Sequence, residues 1–257
     1  MVDTHAHLGL CEPDDAELVA SARAAGVARI LTVGLDEGTN REAIAAAEAA
    51  EEVFACVGRH PNSASGFDDA SASDLVELAR HPRVAAVGET GLDRYRDHSS
   101  STDQLRAFEA QIEVAREVSK PLVIHLRDGS GAGGNVTDRA YELLAASAQG
   151  VSVIMHCFSA PPEKVADAAE HGWYCSFAGN VTYRSAGGLR EAARLVPAEL
   201  LLVETDAPYL APQPVRGRPN EPANVVATAE VVAEERGVTY GELESLVDAN
   251  AARVFGW

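Results

Sequence analysis

Eight short apolar runs, separated by segments with helical spacing, limit most strongly the folds that this chain can adopt. The runs lack the polar alternation of a half-exposed sheet, which is typical of parallel strands covered on both faces. They begin about 20 to 40 residues apart, the length that a strand and its crossover helix require. The eight runs occupy residues 2–8, 29–35, 53–57, 84–87, 121–126, 151–158, 173–178 and 200–203.

The segments between these runs are rich in Ala, Glu and Leu, and their spacing predicts helices. The predicted helices include residues 13–25, 40–51, 104–118, 140–148 and 162–170, with a closing helix over 224–235. Thr239 and Glu242 have the spacing of a capping box, which predicts that a last helix begins there. Eight strand–helix units predict an α/β fold, a (β/α)8 TIM barrel that forms a single domain over residues 1–257. The alternative is an open, doubly wound sheet.

Composition and charge exclude several classes of protein. The chain is 46% hydrophobic and 23% charged, as expected for a globular protein with a sizeable core. Its net charge of −18 disfavours loose binding along nucleic acid but permits a local anion site. The four cysteines show no CxxC spacing, and the sequence has neither a signal-peptide pattern nor an apolar run of membrane-spanning length. We therefore expect a cytoplasmic protein with reduced thiols and no membrane partner.

Metal-binding residue types gather at the ends of the predicted strands. In such a barrel the active site lies at the carboxyl ends of the strands, and five of the eight histidines fall there. His5 and His7 are two apart on one strand, so their imidazoles point to the same side. Imidazole nitrogen and carboxylate oxygen together suit a divalent metal ion. The predicted metal ligands are His5, His7, Glu89, His125, His156 and Asp206.

Two acids near the last strand are the candidates for catalysis. Asp206 follows the eighth run and lies where a metal ligand or a general base is needed. Glu204 lies two residues earlier on the same face, where it either binds metal or orients a ligand from behind.

Basic residues on the loops after the strands are candidates for substrate binding. Seven arginines of this acidic chain map to these loops, and a guanidinium suits the geometry of phosphate. The predicted substrate contacts are His60, Arg94, Arg127 and Arg218. Residues 129–134 fit the GxGxxG pattern of a dinucleotide site, but the next strand does not end in the acid that such a site requires. We interpret them as a flexible active-site loop.

Together these residues resemble the TatD family of metal-dependent hydrolases, a branch of the amidohydrolase-like barrel superfamily. The resemblance covers essentially the whole chain in order. It rests on residues 2–8, 58–61, 88–93, 123–128, 155–159, 179–182 and 204–210.

The resemblance implies a site for two divalent metal ions, Mg, Mn or Zn. The ligands that it implies are His5, His7, Glu89 and Asp206 for one ion, and Glu89, His125 and His156 for the other. No lysine ends a strand, so a carbamylated-lysine bridge is not available and Glu89 fits the bridging role. The resemblance also implies a deoxyribonuclease, since family members are described as such and some as 3′→5′ exonucleases.

Three functions remain open at this point. The first is hydrolysis of DNA phosphodiesters, in single strands or at 3′ ends, by water activated between two metal ions. The second is hydrolysis of a carboxylic ester or amide, such as an aminoacyl-tRNA ester or a small molecule, because the same water attacks a carbonyl. The third is a metal-binding protein without catalytic activity.

Overall fold

The computed structural model of the protein describes residues 1–96, 98–129 and 135–257. Eight strands form one parallel sheet, in which the spatial order of the strands follows the chain. The strands are β1 (Val2–Ala6), β2 (Arg29–Val33), β3 (Val53–Val57), β4 (Val84–Asp93), β5 (Leu122–Arg127), β6 (Val153–Met155), β7 (Tyr174–Phe177) and β8 (Leu201–Val203).

Helices lie between successive strands and after the last one. They are α1 (Asp15–Ala24), α2 (Glu37–Ala49), α3 (Asp69–Ala79), α4 (Ser101–Val118), α5 (Thr137–Ser147), α6 (Lys164–Glu170), α7 (Gly187–Leu195), α8 (Val225–Arg236) and α9 (Tyr240–Phe255). The helical spacing used above identified neither α3 nor α7. The capping box is confirmed, because the Thr239 and Glu242 side chains each accept a backbone N–H of the other residue.

The first strand closes the sheet against the chain that follows β8. The backbone N–H of Asp206 donates to the His5 carbonyl at 2.9 Å, and that of His7 donates to the Ala207 carbonyl at 2.7 Å. Every strand also lies beside the strand that follows it in the chain. The structure is therefore a nearly closed barrel, which confirms the predicted (β/α)8 fold and excludes the doubly wound sheet, whose strand order reverses.

Buried side chains join the same two strands one layer deeper. The Thr205 backbone N–H donates to Asp3 Oδ1 at 2.9 Å, and the Thr205 hydroxyl donates to Asp3 Oδ2 at 2.6 Å. Burial raises the pKa of Asp3 to about 8, because it outweighs the hydrogen bonds from Thr205 that stabilise the carboxylate. The closure between β1 and β8 thus rests on side chains as well as on backbone.

Strand β4 is longer than the sequence pattern predicts. The apolar run 84–87 is followed by glycines that indicate a turn, yet the strand continues to Asp93. Gly91 has a φ of 142°, and a Cβ atom there would lie 2.1 Å from the carbonyl oxygen of His125. Only glycine permits this approach of β5. Glu89 therefore lies within the strand, whereas the pattern predicts it at the end.

Strand β6 is shorter than predicted, covering Val153–Met155 instead of residues 151–158. The chain leaves the sheet at Cys157, whose φ of 45° lies in the left-handed region. His156 consequently follows the last paired residue directly and leaves the barrel wall at its carboxyl end.

Three further expectations concern the chain as a whole. The four cysteines are free, and no helix in the described ranges is long and apolar enough to cross a membrane. Residues 130–134 lie outside the described residues, so the flexible loop expected at 129–134 stays a prediction.

Candidate metal centre and active site

His5 and His7 bring two imidazoles to one point at the carboxyl end of β1. Both side chains are buried, and their Nε2 atoms lie 3.3 Å apart. Two nitrogen atoms that each bind one ion at about 2.0–2.1 Å lie roughly 3.0–3.4 Å from each other. The pair therefore has the separation of two ligands to a single cation.

Contacts behind the rings orient His7 and His156. His7 Nδ1 lies 3.0 Å from the carbonyl oxygen of Val33, to which it donates. His156 Nδ1 lies 2.7 Å from Glu204 Oε1, a close charge contact without hydrogen-bond angles. Glu204 Oε1 also accepts the Cys157 backbone N–H at 2.8 Å. In its neutral form, His7 thus turns an unprotonated Nε2 toward the cluster, as metal-binding histidines do, and Glu204 lies in the corresponding position behind His156.

Glu89 lies at the centre of the cluster. Its Oε2 is 3.4 Å from His5 Nε2 and 3.7 Å from His7 Nε2. Its Oε1 is 2.6 Å from His125 Nδ1 and 3.6 Å from His156 Nε2. One carboxylate thus faces histidines of both predicted metal sites, which is the position that a bridging ligand requires.

Asp206 completes the cluster from the chain beyond β8. Its Oδ1 lies 3.6 Å from His7 Nε2 and 3.9 Å from His156 Nε2. Its φ of 54° is in the left-handed region, which costs roughly 1–2 kcal/mol for a residue with a side chain. Such strain persists where the surrounding structure holds it, typically at functional sites.

His125 lies closer to His60 than to His156. The ring centroids of His125 and His60 are 4.5 Å apart, and those of His125 and His156 are 6.4 Å apart. His125 Nε2 is 3.2 Å from Asp93 Oδ2, on the side away from Glu89. The potential ligand atoms form three groups, and the atoms of each group lie within 4.8 Å of one another. The groups are His5–His7–Asp206, His5–Glu89–His156 and His60–Glu89–His125. The structure thus brings together all six predicted ligands, but groups His125 with His60 and not with His156.

Charge within the cluster shifts the pKa values of its members. Burial lowers the pKa of His60 to about 3. Burial also disfavours the charged forms of His125 and His156, but neighbouring carboxylates outweigh it and raise their pKa values to about 9 and about 10. Burial by itself would raise the pKa of Glu89, but the surrounding imidazoles outweigh burial and hold this pKa well below its ordinary value. The carboxylates therefore require positive charge between them, which a divalent ion supplies when it displaces these protons.

The residues present fit divalent metal ions. Imidazole nitrogens and carboxylate oxygens converge within a few ångströms. The orientation of two rings is fixed from behind, and the site requires compensating positive charge. The Nδ1 atom of His5 is buried and has no partner among the described residues, so its ring is oriented by packing and by what binds Nε2.

A cavity of about 840 Å³ opens above the cluster. Its walls include two of the predicted substrate contacts, His60 and Arg127. The guanidinium carbon of Arg127 lies 3.8 Å from the centre of the Tyr95 ring. The other two predicted contacts, Arg94 and Arg218, are exposed and are not among the described residues that line the cavity.

Sequence reasoning missed several residues of the cavity wall. Asn62 lines the cavity and donates to Asp93 Oδ2 at 3.0 Å. Asn180, His98 and Tyr209 also line it. All of them follow strands, and Asn180 and Tyr209 also lie in stretches that carry the family resemblance, so both signals were available in the sequence. Glu204, which the sequence suggests as catalytic, is fully buried behind His156 and does not line the cavity.

The fold and this cluster define a barrel of the metal-dependent hydrolase class, and comparison with known sequences identifies the family. The model of the family described as TatD related DNase matches residues 2–256. The chain therefore belongs to the TatD-related DNase family.

Individual relatives agree with this assignment. The chain is 40% identical over 265 residues to the protein named "Uncharacterized metal-dependent hydrolase TatD" of Mycobacterium tuberculosis, covering 100% of this chain and 98% of that protein. It is 35% identical over 247 residues to the 3′-5′ ssDNA/RNA exonuclease TatD of Cronobacter sakazakii, covering 94% and 92% of the two chains. The crystal structure of YjjV, a TatD homologue from Escherichia coli K12, superposes with a TM-score of 0.89 at 25% identity and covers 100% of this chain and 98% of that chain.

Proposed function

We propose that this protein is a nuclease that uses divalent metal ions to hydrolyse phosphodiester bonds at single-stranded nucleic-acid ends. One observation carries the proposal: the cluster of histidines and carboxylates forms the floor of a cavity whose wall includes Arg96 and Arg127. Guanidinium groups beside a metal-binding cluster suit an anionic phosphate ester. Relatives named as single-stranded DNA and RNA exonucleases support the same substrate class.

The charge of the chain favours a local contact with the substrate. A protein of net charge −18 repels a long polyanion except where basic side chains concentrate. A cavity of about 840 Å³ has the size of a small-molecule pocket and suits a terminal nucleotide better than a duplex.

His5, His7, Glu89, His125, His156 and Asp206 would hold two divalent ions, Mg, Mn or Zn. Such ions lower the pKa of a bound water and neutralise charge on the phosphate. Asp206 lies at the edge of the cluster and lines the cavity, so its carboxylate orients the attacking water and accepts its proton. Glu204, which does not reach the cavity, positions His156.

Residues of the wall bind the phosphate. Arg96 and Arg127 line the cavity on the side of β4 and β5, where their N–H groups donate to non-bridging phosphate oxygens. The low pKa of His60, which burial causes, keeps its imidazole neutral, so it donates one hydrogen bond without adding charge.

The test is a nuclease assay of the protein loaded with Mg²⁺, Mn²⁺ or Zn²⁺ in separate samples. We expect a 5′-labelled single-stranded oligonucleotide to shorten stepwise from its 3′ end, and a 3′-phosphorothioate oligonucleotide to resist. Panels of aminoacyl esters, lactones and amides run in parallel. Since activity depends on a few charge contacts, it should fall as salt rises.

Two variants make the assay specific to this site. His125→Ala should abolish cleavage, whereas Arg218→Ala, an exposed arginine outside the cavity, should leave it near that of the unmodified protein. If the protein cleaves esters or amides but no oligonucleotide, the nuclease proposal is wrong and the protein is a carboxylic ester or amide hydrolase. Undiminished activity in a His125→Ala/His156→Ala variant would refute the metal assignment.

A further inference from the structure

The exposed aromatic side chains of this protein lie on the face of the active site. Among the described residues the exposed large hydrophobic side chains are Leu10, Tyr95, Leu195, Tyr209 and Val238. The two aromatic ones, Tyr95 and Tyr209, follow β4 and β8, on the side where the strands end. A tyrosine ring that is exposed beside a cavity is available to contact a ligand.

Tyr209 differs from Tyr95 in what covers it. The Tyr95 ring is stacked against the Arg127 guanidinium. Tyr209 lines the cavity itself and is 53% exposed. Its ring centroid lies 6.1 Å from that of His7 at an interplanar angle of 71°. An edge-to-face contact leaves at least one face of the tyrosine ring outside it, and the exposure of Tyr209 places aromatic surface within reach of a ligand beside the metal cluster.

The backbone of Tyr209 is held from both sides. Its N–H donates to the Asp206 carbonyl at 2.8 Å. Its carbonyl accepts from Asn220 Nδ2 at 2.6 Å, and the same amide, which is fully buried, donates to the Thr205 carbonyl at 3.0 Å. The backbone that carries the ring is therefore fixed relative to Asp206, which limits where the ring can lie, as a platform for a substrate requires.

The position and charge of the site suit a nucleobase. A base is separated from its 5′-phosphate by one sugar, so a ring beside His7 is placed to meet the base of the same nucleotide whose 5′-phosphate lies at the cluster. Because the chain is strongly acidic, phosphate contacts can supply only part of the affinity. Stacking on an aromatic ring adds affinity without charge and accepts every base.

We propose that Tyr209 is the platform on which the base of the 3′-terminal nucleotide stacks, which makes it a positioning residue for the cleaved bond. The inference rests on the proposed nuclease function. It favours an unpaired end, because a base paired in a duplex is held against its partner strand and cannot turn onto the ring.

The experiment compares unmodified protein, Tyr209→Phe and Tyr209→Leu in their metal-loaded forms. Each cleaves two pentathymidylates, one intact and one with an abasic residue at its 3′ end. We expect the unmodified protein and Tyr209→Phe to prefer the intact end by about 5- to 150-fold in kcat/KM, the range of one base stacked on an aromatic ring. Tyr209→Leu should lose this preference, through loss of activity on the intact end and with little change on the abasic one. Thermal denaturation checks that the variants fold.

If Tyr209→Leu lowers kcat/KM equally on the intact and the abasic oligonucleotide, or on neither, Tyr209 does not act as a stacking platform. Binding of the same oligonucleotides in Ca²⁺, followed by fluorescence anisotropy, separates this proposal from the nuclease proposal. If no oligonucleotide is cleaved but Tyr209→Leu abolishes a binding preference for the intact end, stacking stands and the nuclease assignment fails. If no form of the protein prefers the intact end in binding, the platform fails whatever the reaction.

Discussion

Asp93 lies against His125 on the side opposite to Glu89, with Oδ2 of the carboxylate 3.2 Å from the imidazole Nε2. The other oxygen, Oδ1, accepts the backbone N–H groups of Tyr95 and Arg96 at 2.8 and 3.0 Å. One carboxylate thus connects a proposed metal ligand with the turn that carries Arg96 into the cavity wall. Orientation of the ligand and placement of the wall are consequently coupled.

Asp93→Ala should therefore weaken both functions of this carboxylate. Loss of a partner behind a metal-binding histidine typically costs about 10- to 100-fold in metal affinity or activity. We expect kcat to fall within that range and KM to rise as Arg96 loses its position. Steady-state kinetics measure both, and Asp69→Ala, on the exposed first turn of α3, is the control. Unchanged kcat and KM in Asp93→Ala would contradict the coupling.

Glu204→Gln tests the contact behind His156. The amide has the shape of the carboxylate but no charge, so the His156 ring loses the negative charge that lies 2.7 Å from its Nδ1. We expect metal affinity to drop about 10- to 100-fold, measured by titration with elemental analysis, and the melting temperature of the metal-loaded protein at saturation to change little. Equal metal affinity in the two proteins would show that Glu204 only fills space.

Removal of metal should destabilise the fold. The carboxylates near His125 and His156 raise the pKa values of these histidines, so without ions the cluster holds protons where a cation would lie. An ion that binds only the folded state adds RT ln(1 + [L]/Kd), about 2.7 kcal/mol at a hundredfold excess over Kd. We expect chelation to lower the melting temperature in calorimetry and added Mn²⁺ or Zn²⁺ to restore it. A melting temperature independent of chelator and metal would speak against ions within the cluster.

Gly91→Ala should destabilise the barrel at β4 and β5. Its φ of 142° and the 2.1 Å approach of a Cβ atom to the His125 carbonyl leave no room for a methyl group. Backbone strain alone costs about 1–3 kcal/mol, and displacement of His125 should lower activity further. Gly241→Ala, in α9 with nothing within 4 Å of the added atom, is the matched control and should be neutral or stabilising. Urea denaturation distinguishes the two; equal stabilities would disprove the steric argument.

Asp36 gives a pH-dependent prediction away from the site. Its carboxylate accepts the Thr39 backbone N–H at 2.9 Å at the start of α2, and this hydrogen bond lowers the pKa of Asp36 below its ordinary value. A lowered pKa means that the stabilisation is complete above the unfolded pKa, about 3.9, and is lost as pH falls through the folded value.

Asp36→Ala should therefore cost about 0.5–2 kcal/mol at pH 7, and this difference should shrink as pH falls below about 4. Asp36→Asn keeps a capping oxygen without a charge, so its difference from Asp36→Ala should not depend on pH. Chemical denaturation between pH 3 and pH 7 measures both differences. A gap between unmodified protein and Asp36→Ala that stays constant over this range would argue against the ionised cap.

The sequence predicts the barrel and the ligand cluster well because both follow periodic rules. Apolar runs identify strands, and polar residues at their ends converge by topology, as His5 and Asp206 do. The sequence does not predict the length of β4. In the sequence Gly91 indicates a turn, whereas in the structure it permits the close approach of β5. The sequence does not predict which histidine lies nearest to His125 either, since its distances to His60 and His156 depend on the curvature of the barrel. Arg94 and Arg218 have the residue type of a substrate contact but are not among the described residues that line the cavity, which loop sequence alone does not reveal.

The seam between β1 and β8 also has a consequence for the order of events during synthesis. The hydrogen bonds between Asp3 and Thr205 join residues 202 positions apart, and the same seam brings Asp206 to His5 and His7. A nascent chain that has not yet emerged past its eighth strand has the histidines but not the carboxylate that completes their group. The cluster of histidines and carboxylates is thus completed last, and a ribosome-bound fragment of this protein carries it unfinished.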